Sequence, residues 1–201
     1  EALASYGRVS IDTRKAEVAT AAIASGASLV NDVSASLQEV AAAHGVGWVA
    51  MHMRGDPRTM QDDPHYVDVV ADVHRYLVDR AGAGRRAGVG EVWIDPGIGF
   101  GKSAAHNLAL LAHIDVLVAT GFPVLVGTSR KGFLGSLLAA SDDTRGVPVE
   151  DRLEASLATA TFAMARGAAM VRVHDVRATV EAAMVVAGGT NGAPLDGAAW
   201  V

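Results

Sequence analysis

The chain has 201 residues, half of them hydrophobic and only 19% charged, which excludes a disordered polymer and gives enough length for one good core. A net charge of −5 and the absence of cysteine exclude bulk attraction to nucleic acid or anionic lipid, disulfides and thiolate metal sites. No apolar run reaches the roughly 18 residues that a membrane helix needs, and no signal-peptide pattern is present, so a cytoplasmic globular protein is expected.

Strand-like and helical runs alternate from the first residues onward. The pattern predicts a strand over 7–13 and a helix over 14–25, which Gly26 stops. A strand over 28–33 and a short helix over 37–43 follow, then a strand over 47–53 and a polar loop over 54–64. Val69, Val70, Val73, Leu77 and Val78 recur at helical spacing within 66–87, an amphipathic helix. The next unit is a strand over 91–95 and a helix over 104–120. A strand over 123–127, a short helix within 132–138 and an exposed loop over 142–148 come after it. A long helix over 149–166, a strand over 170–174 and a helix over 177–187 complete the pattern. The glycine-rich stretch 188–201 is expected to be a flexible tail after a single domain over 1–187.

Six strand–helix units with short connections imply a parallel sheet covered by helices. An eight-unit (β/α)8 barrel usually takes about 250 residues. Glu1 stands where an initiator methionine is usual, and residues 1–4 look like the end of a helix. The expected fold is therefore an α/β barrel in which six C-terminal units are present and the first two are missing. An open doubly wound sheet also fits the pattern.

The strand ends carry the chemistry. Val92-Trp93-Ile94-Asp95 runs into the turn Pro96-Gly97-Ile98-Gly99-Phe100-Gly101-Lys102. Pro96 stands where a phosphate-binding P-loop requires glycine, so the turn is not one. Asp95 at the end of a buried strand suits a nitrogen-rich ring, whose N–H groups donate to a carboxylate. Asp12 and Asn31 end two other strands. Singly each could be a helix cap; with Asp95 they form a carboxylate–amide–carboxylate set that can read donors and acceptors. Ser129-Arg130-Lys131 follows a late strand, where barrels often bind phosphate. Arg172 and His174 alternate on the last strand and face one side, an arrangement suited to an anionic leaving group. His52 reads as structural more readily than as a ligand. The other histidines show no metal-binding spacing, and Ser, His and Asp form no triad with a nucleophile elbow.

Six segments, in order, together resemble the dihydropteroate synthase family of folate biosynthesis, including its mycobacterial-type paralogues. They are Ser10 to Thr13, Asn31 to Ser34, Met51 to Met53 with Pro57 to Gln61, Asp95 to Lys102, Gly127 to Lys131, and Arg172 to Asp175. The resemblance implies a TIM barrel and a transferase that displaces diphosphate from 6-hydroxymethyl-7,8-dihydropterin diphosphate with p-aminobenzoate, the target of sulfonamides. It implies that Asp12, Asn31 and Asp95 bind the pterin, with Met51 and Phe100 packed nearby. Lys131 then reaches the ring and the second substrate, while Arg172 and His174 hold the departing diphosphate. Asp95, Lys131, Arg172 and His174 are the implied catalytic set. The resemblance also implies Mg2+, its protein ligand lying in the missing N-terminal segment and not in this chain, and a homodimer through the late helices.

Two departures stand out. Ala35-Ser36 occupies the place of the family's Gly-Gly, and Gly132 replaces a serine that helps hold p-aminobenzoate. They are the sequence basis for an alternative, a non-catalytic pterin-binding paralogue with a regulatory or scaffold role. A pterin-dependent methyltransferase domain is a further alternative, against which the cations at Lys131, Arg172 and His174 argue, because methyl transfer releases no diphosphate.

Overall fold

The computed structural model describes residues 2–56, 58–141 and 146–190. Among them the apolar runs form six strands: β1 Ser10–Asp12, β2 Leu29–Asp32, β3 Gly47–Met51, β4 Val92–Asp95, β5 Leu125–Val126 and β6 Met170–Val171. The helices between and after them are α1 Ala16–Ala24, α2 Gln38–His44, α3 Val69–Arg86, α4 Ala104–Ala112, α5 Ile114–Val118, α6 Gly132–Ser141, α7 Leu153–Ala165 and α8 Val176–Thr190. Asp68 caps α3 by accepting from the N–H groups of Val70 and Ala71, and Ser103 with His106 forms a reciprocal capping box on α4, each satisfying donors that a helix start leaves free.

The strands pair in parallel and in chain order, β1-β2-β3-β4 and β5-β6, with an Ile94–Val124 bridge joining the two sets. A doubly wound sheet reverses its strand order at a switch point; here every strand neighbours the next, as in a barrel wall. The wall curls far enough that Arg172, just past β6, reaches Asp12 at the end of β1 at 3.0 Å. The fold is thus the TIM-barrel type, of which these residues build six strand–helix units.

Alternation along the strands sorts the core into two layers. Val30, Trp48, Ala50, Ile94 and Val126 face outward and pack under the helices with Leu77, Leu110, Ile114, Leu117 and Leu134. Leu29, Val49 and Leu125, with Trp93 and Met170 against them, face inward and fill the lumen. Two residues beyond each of these five, on the same face, stand Asn31, Met51, Asp95, Gly127 and Arg172. A single parity therefore carries both the lumen packing and the polar layer above it.

Several elements differ from the sequence expectations. The strands are shorter, β6 ending at Val171, although the Arg172 N–H still donates to the Val126 carbonyl at 2.9 Å. The helix expected over 104–120 breaks at His113, whose Nδ1 sits 2.8 Å from the Ala109 carbonyl. The helix expected from 149 begins as a 3-10 turn at Val149–Asp151 and becomes α-helical at Leu153. Helix α8 runs to Thr190, into the expected tail, whose remainder from 191 lies outside the described residues. Most of the expected loop over 142–148, and Pro57, also lie outside them. Among the described residues no helix is long and apolar enough to cross a membrane.

Candidate active site

The acidic and amide groups sit low in the mouth of the barrel. Asp95 is 2% exposed, and its Oδ1 accepts the Gly97 N–H at 2.7 Å. Burial raises its pKa; the Gly97 N–H and the charges of Arg172, Lys131 and Lys102 oppose that rise. Asn31 is buried as well, and its Nδ2 donates to Asp12 Oδ2 at 3.0 Å. Its Oδ1 is buried with no hydrogen-bond partner, a costly state that a ligand donor relieves. Asp12 Oδ2 also accepts from Arg172 Nη1 at 3.0 Å, so one carboxylate oxygen joins the amide side to the cationic side. Met51 lines this floor and is fully buried.

The turn after β4 is locked from behind. At Gly97, φ is +64° and an added Cβ stands 1.8 Å from the His52 carbonyl oxygen; at Gly101, φ is +62° and the Arg54 carbonyl oxygen is 2.2 Å away. Only glycine fits either place. Lys102 does not reach toward an anion. Its buried Nζ donates to the carbonyls of Gly97 and Phe100, both at 3.0 Å, and lies 3.0 Å from His52 Nδ1. Burial brings its pKa down to about 7, with Asp95 opposing and Lys131 adding to the fall. His52 has the outward parity, among Tyr66 and Tyr76. Burial first, and then the Lys102 charge, lower its pKa to about 3, so the ring is neutral. Tyr66 Oη donates to the Gly101 carbonyl at 2.9 Å, and Asn107 Oδ1 accepts the Gly99 N–H at 2.8 Å.

Asp32, next to Asn31, points outward. It accepts from the N–H groups of Ser34, Ser36 and Leu37, from Ser34 Oγ and from Trp48 Nε1. Those bonds shape the loop in which Ala35 takes a φ of +48°, the left-handed conformation that glycine adopts without cost.

The cations gather on the other side of the mouth. A cavity of about 530 Å³ is lined by Ser129, Arg130, Lys131, Arg172 and His174, with Gly127, Val149 and Val173. Lys131 Nζ stands 3.9 Å above the Phe100 ring, a cation–π contact. Burial lowers the Lys131 pKa to about 8; the Asp95 charge opposes the fall and that of Arg172 adds to it. Arg130, between Ser129 and Lys131, has a φ of +59°. Its guanidinium grips Asp175 at 2.6 and 3.1 Å, its N–H donates to Ser156 Oγ at 2.9 Å, and its carbonyl accepts from Arg152. Strain so firmly held is typical of functional loops.

Asp12, Asn31, Met51, Asp95, Phe100, Lys131, Arg172 and His174 are thus brought around one mouth. Among the described residues no three His, Asp or Glu side chains converge, and the cavity wall is cationic. The sequence pattern indicated neither the inward-facing Ser129 nor the bracing roles of Lys102 and Arg130, whose partners lie far away along the chain.

Residues 2–174 match the model of a family described as pterin binding enzymes. The chain is 45% identical over 194 residues to a dihydropteroate synthase of Mycobacterium leprae, covering 92% of this chain and 68% of that protein. It is 41% identical over 184 residues to the dihydropteroate synthase of Escherichia coli, covering 89% of this chain and 63% of that one. The chain thus spans about two thirds of the length of these curated relatives. Two structures of dihydropteroate synthase from Thermus thermophilus, one in complex with 6HMPPP and one with 4-aminobenzoate, superpose with a TM-score of 0.85 at 44% identity. Each match covers 92% of this chain, and 74% and 76% of the respective structures.

Proposed function

The chain belongs to the pterin-binding enzyme family of the dihydropteroate synthases, and from that premise we propose that the protein joins a dihydropterin diphosphate to p-aminobenzoate. The observation that carries this is the division of one mouth into an acid–amide floor and a cationic wall. Asp95, Asp12 and the unpaired Asn31 Oδ1 accept from the N–H groups of the pterin ring. Met51 and Phe100 pack beside it. Arg172, His174 and Lys131 take the diphosphate.

In the reaction the amine nitrogen of p-aminobenzoate forms a bond to the pterin methylene carbon. The bond from that carbon to the diphosphate oxygen breaks, and the oxygen leaves with the electron pair. The nitrogen then loses a proton. Negative charge grows on the departing oxygen, where cations held in place lower the barrier most. Asp12 holds Arg172 before substrate arrives, so the diphosphate takes over a guanidinium that is already aimed.

The same proposal includes a cytoplasmic location, which the cysteine-free composition supports, Mg2+ as the family's metal, and a homodimer. Exposed Phe162 on α7 with Val176, Met184 and Val185 on α8 supports the last. The methyltransferase alternative is not favoured, since the cationic wall serves a departing anion, and the non-catalytic one is not favoured by the 41–45% identity to dihydropteroate synthases.

The test is a coupled assay of the full protein with pterin diphosphate, p-aminobenzoate and Mg2+. Turnover is expected, reduced about 100-fold or more in Arg172→Ala, the order of loss for one transition-state donor. Absent turnover with pterin diphosphate still bound in calorimetry overturns the synthase and leaves a pterin binder.

A further inference from the structure

We infer that Ser129 is a positioning residue that sets His174 in the tautomer with its proton on Nε2, so that the ring offers an N–H to the anion cavity. This rests on the assignment of His174 to the diphosphate wall.

Ser129 is 5% exposed at the end of the β5 loop. Its Oγ accepts the backbone N–H of His174 at 3.2 Å and lies 3.0 Å from Nδ1 of the same residue. A serine hydroxyl has one proton and two lone pairs. One lone pair is used by the His174 N–H, an unambiguous donor that pins the oxygen in place. Among the described residues, His174 Nδ1 is the acceptor within reach of the hydroxyl proton; a proton on Nδ1 could use the second lone pair, but it would leave that hydroxyl proton without a protein acceptor in a buried position. A nitrogen that accepts cannot also carry a proton, so the neutral ring bears its hydrogen on Nε2. That nitrogen is on the side of the ring away from Ser129, and the ring lines the cavity with Lys131 and Arg172. The opposite tautomer turns a lone pair toward an anion and repels it. Both contacts come from one hydroxyl to one residue, so backbone and ring are fixed together.

Long-range proton–nitrogen correlation spectra of the full protein, with 15N-labelled histidine, read the tautomer directly. Spectra are taken without substrate, about two units above histidine's ordinary pKa of about 6.5, and a His174→Gln sample identifies the signal. A protonated Nε2 and a lone-pair Nδ1 are expected. Ser129→Ala is expected to mix the two forms and to weaken binding of inorganic diphosphate about 2- to 10-fold, the scale of one hydrogen bond. Ser129→Thr, which keeps the hydroxyl, restores both. A wild-type ring protonated on Nδ1 overturns the inference, as does a folded Ser129→Ala protein with unchanged tautomer and unchanged diphosphate affinity. The wild-type spectrum decides even if the alanine variant does not fold. Because it needs no turnover, a failed synthase assay leaves the tautomer result standing, and a wrong tautomer leaves the synthase standing.

Discussion

Asp95 and Arg172 both stand two residues beyond the lumen packing, yet Asp95 is 2% exposed while Arg172 keeps 46% of its side chain in solvent. Around Asp95 the groups are fixed. The turn after β4 is tied by Lys102, Tyr66 and Asn107, and the carboxylate already holds the Gly97 N–H. Around Arg172 the groups are paired but exchangeable, since Asp12 is itself 48% exposed and ion pairs at such sites contribute little. The rigid side suits a flat ring whose hydrogen-bond pattern must be read. The open side suits an anion that arrives, gains charge and leaves.

The largest effect that separates the two sides is expected from Asp95→Asn. It keeps shape and removes charge from a buried acceptor, so pterin affinity falls about 10- to 100-fold, as for a hydrogen bond to a charged group. Asp12→Asn, on the half-exposed acid, is expected to cost clearly less. Calorimetry with pterin diphosphate measures both, and equal losses break the contrast between a fixed and an exchangeable side.

The two sides also fail at opposite ends of the pH scale. Burial raises the Asp95 pKa, so acidification protonates it earlier than an ordinary carboxylate and removes the ring's acceptor. Burial lowers the Lys131 pKa to about 8, so alkali strips its charge earlier than from an ordinary lysine. The profile of kcat/KM against pH is therefore expected to be a bell whose alkaline limb falls through about 8. Lys131→Arg, which stays charged, is expected to push that limb upward; a limb that stays in place assigns it elsewhere.

Much of this was legible in the chain, because strand periodicity is a strong signal. Asp12, Asn31, Asp95 and Arg172 were found as polar residues ending apolar runs, and they share the lumen parity. What sequence could not show was which polar residue near a strand end turns outward. Asp32 is as polar as Asn31, yet it faces Trp48 and organises a loop. Lys102 carried no role in the sequence pattern, yet its buried Nζ braces the glycine-rich turn from behind. Ser129 was seen only as part of a basic tripeptide, because its link to His174 spans 45 positions. The break at His113 was hidden for a local reason, since the apolar spacing continues across it.

A smaller effect is expected from Gly132→Ser at the start of α6. Gly132 has nothing within 4 Å of where a Cβ belongs, so serine enters without a clash, beside Lys131. The family resemblance places a p-aminobenzoate contact there. The KM for p-aminobenzoate is expected to fall about 2- to 10-fold, the scale of one neutral hydrogen bond, with pterin affinity unchanged. A change in pterin affinity instead means that position 132 acts on the ring through the neighbouring Lys131, which stands against Phe100.

The smallest effect is expected at Ala35, where the fixed side departs from the family's glycine pair. Its φ of +48° costs an L-residue about 1–2 kcal/mol, which Ala35→Gly relieves. Glycine also frees the unfolded chain by about 0.4–1 kcal/mol, and the fully buried methyl takes with it about 0.8 kcal/mol of burial. The gain and the two losses nearly cancel, so stability by chemical denaturation is expected to change by less than about 1 kcal/mol. Near-neutrality means that the five hydrogen bonds to Asp32, not glycine, set the shape of this loop. A stabilisation well above that range means that the loop carries unrelieved strain, and that the acid–amide floor is less settled than its hydrogen bonds indicate.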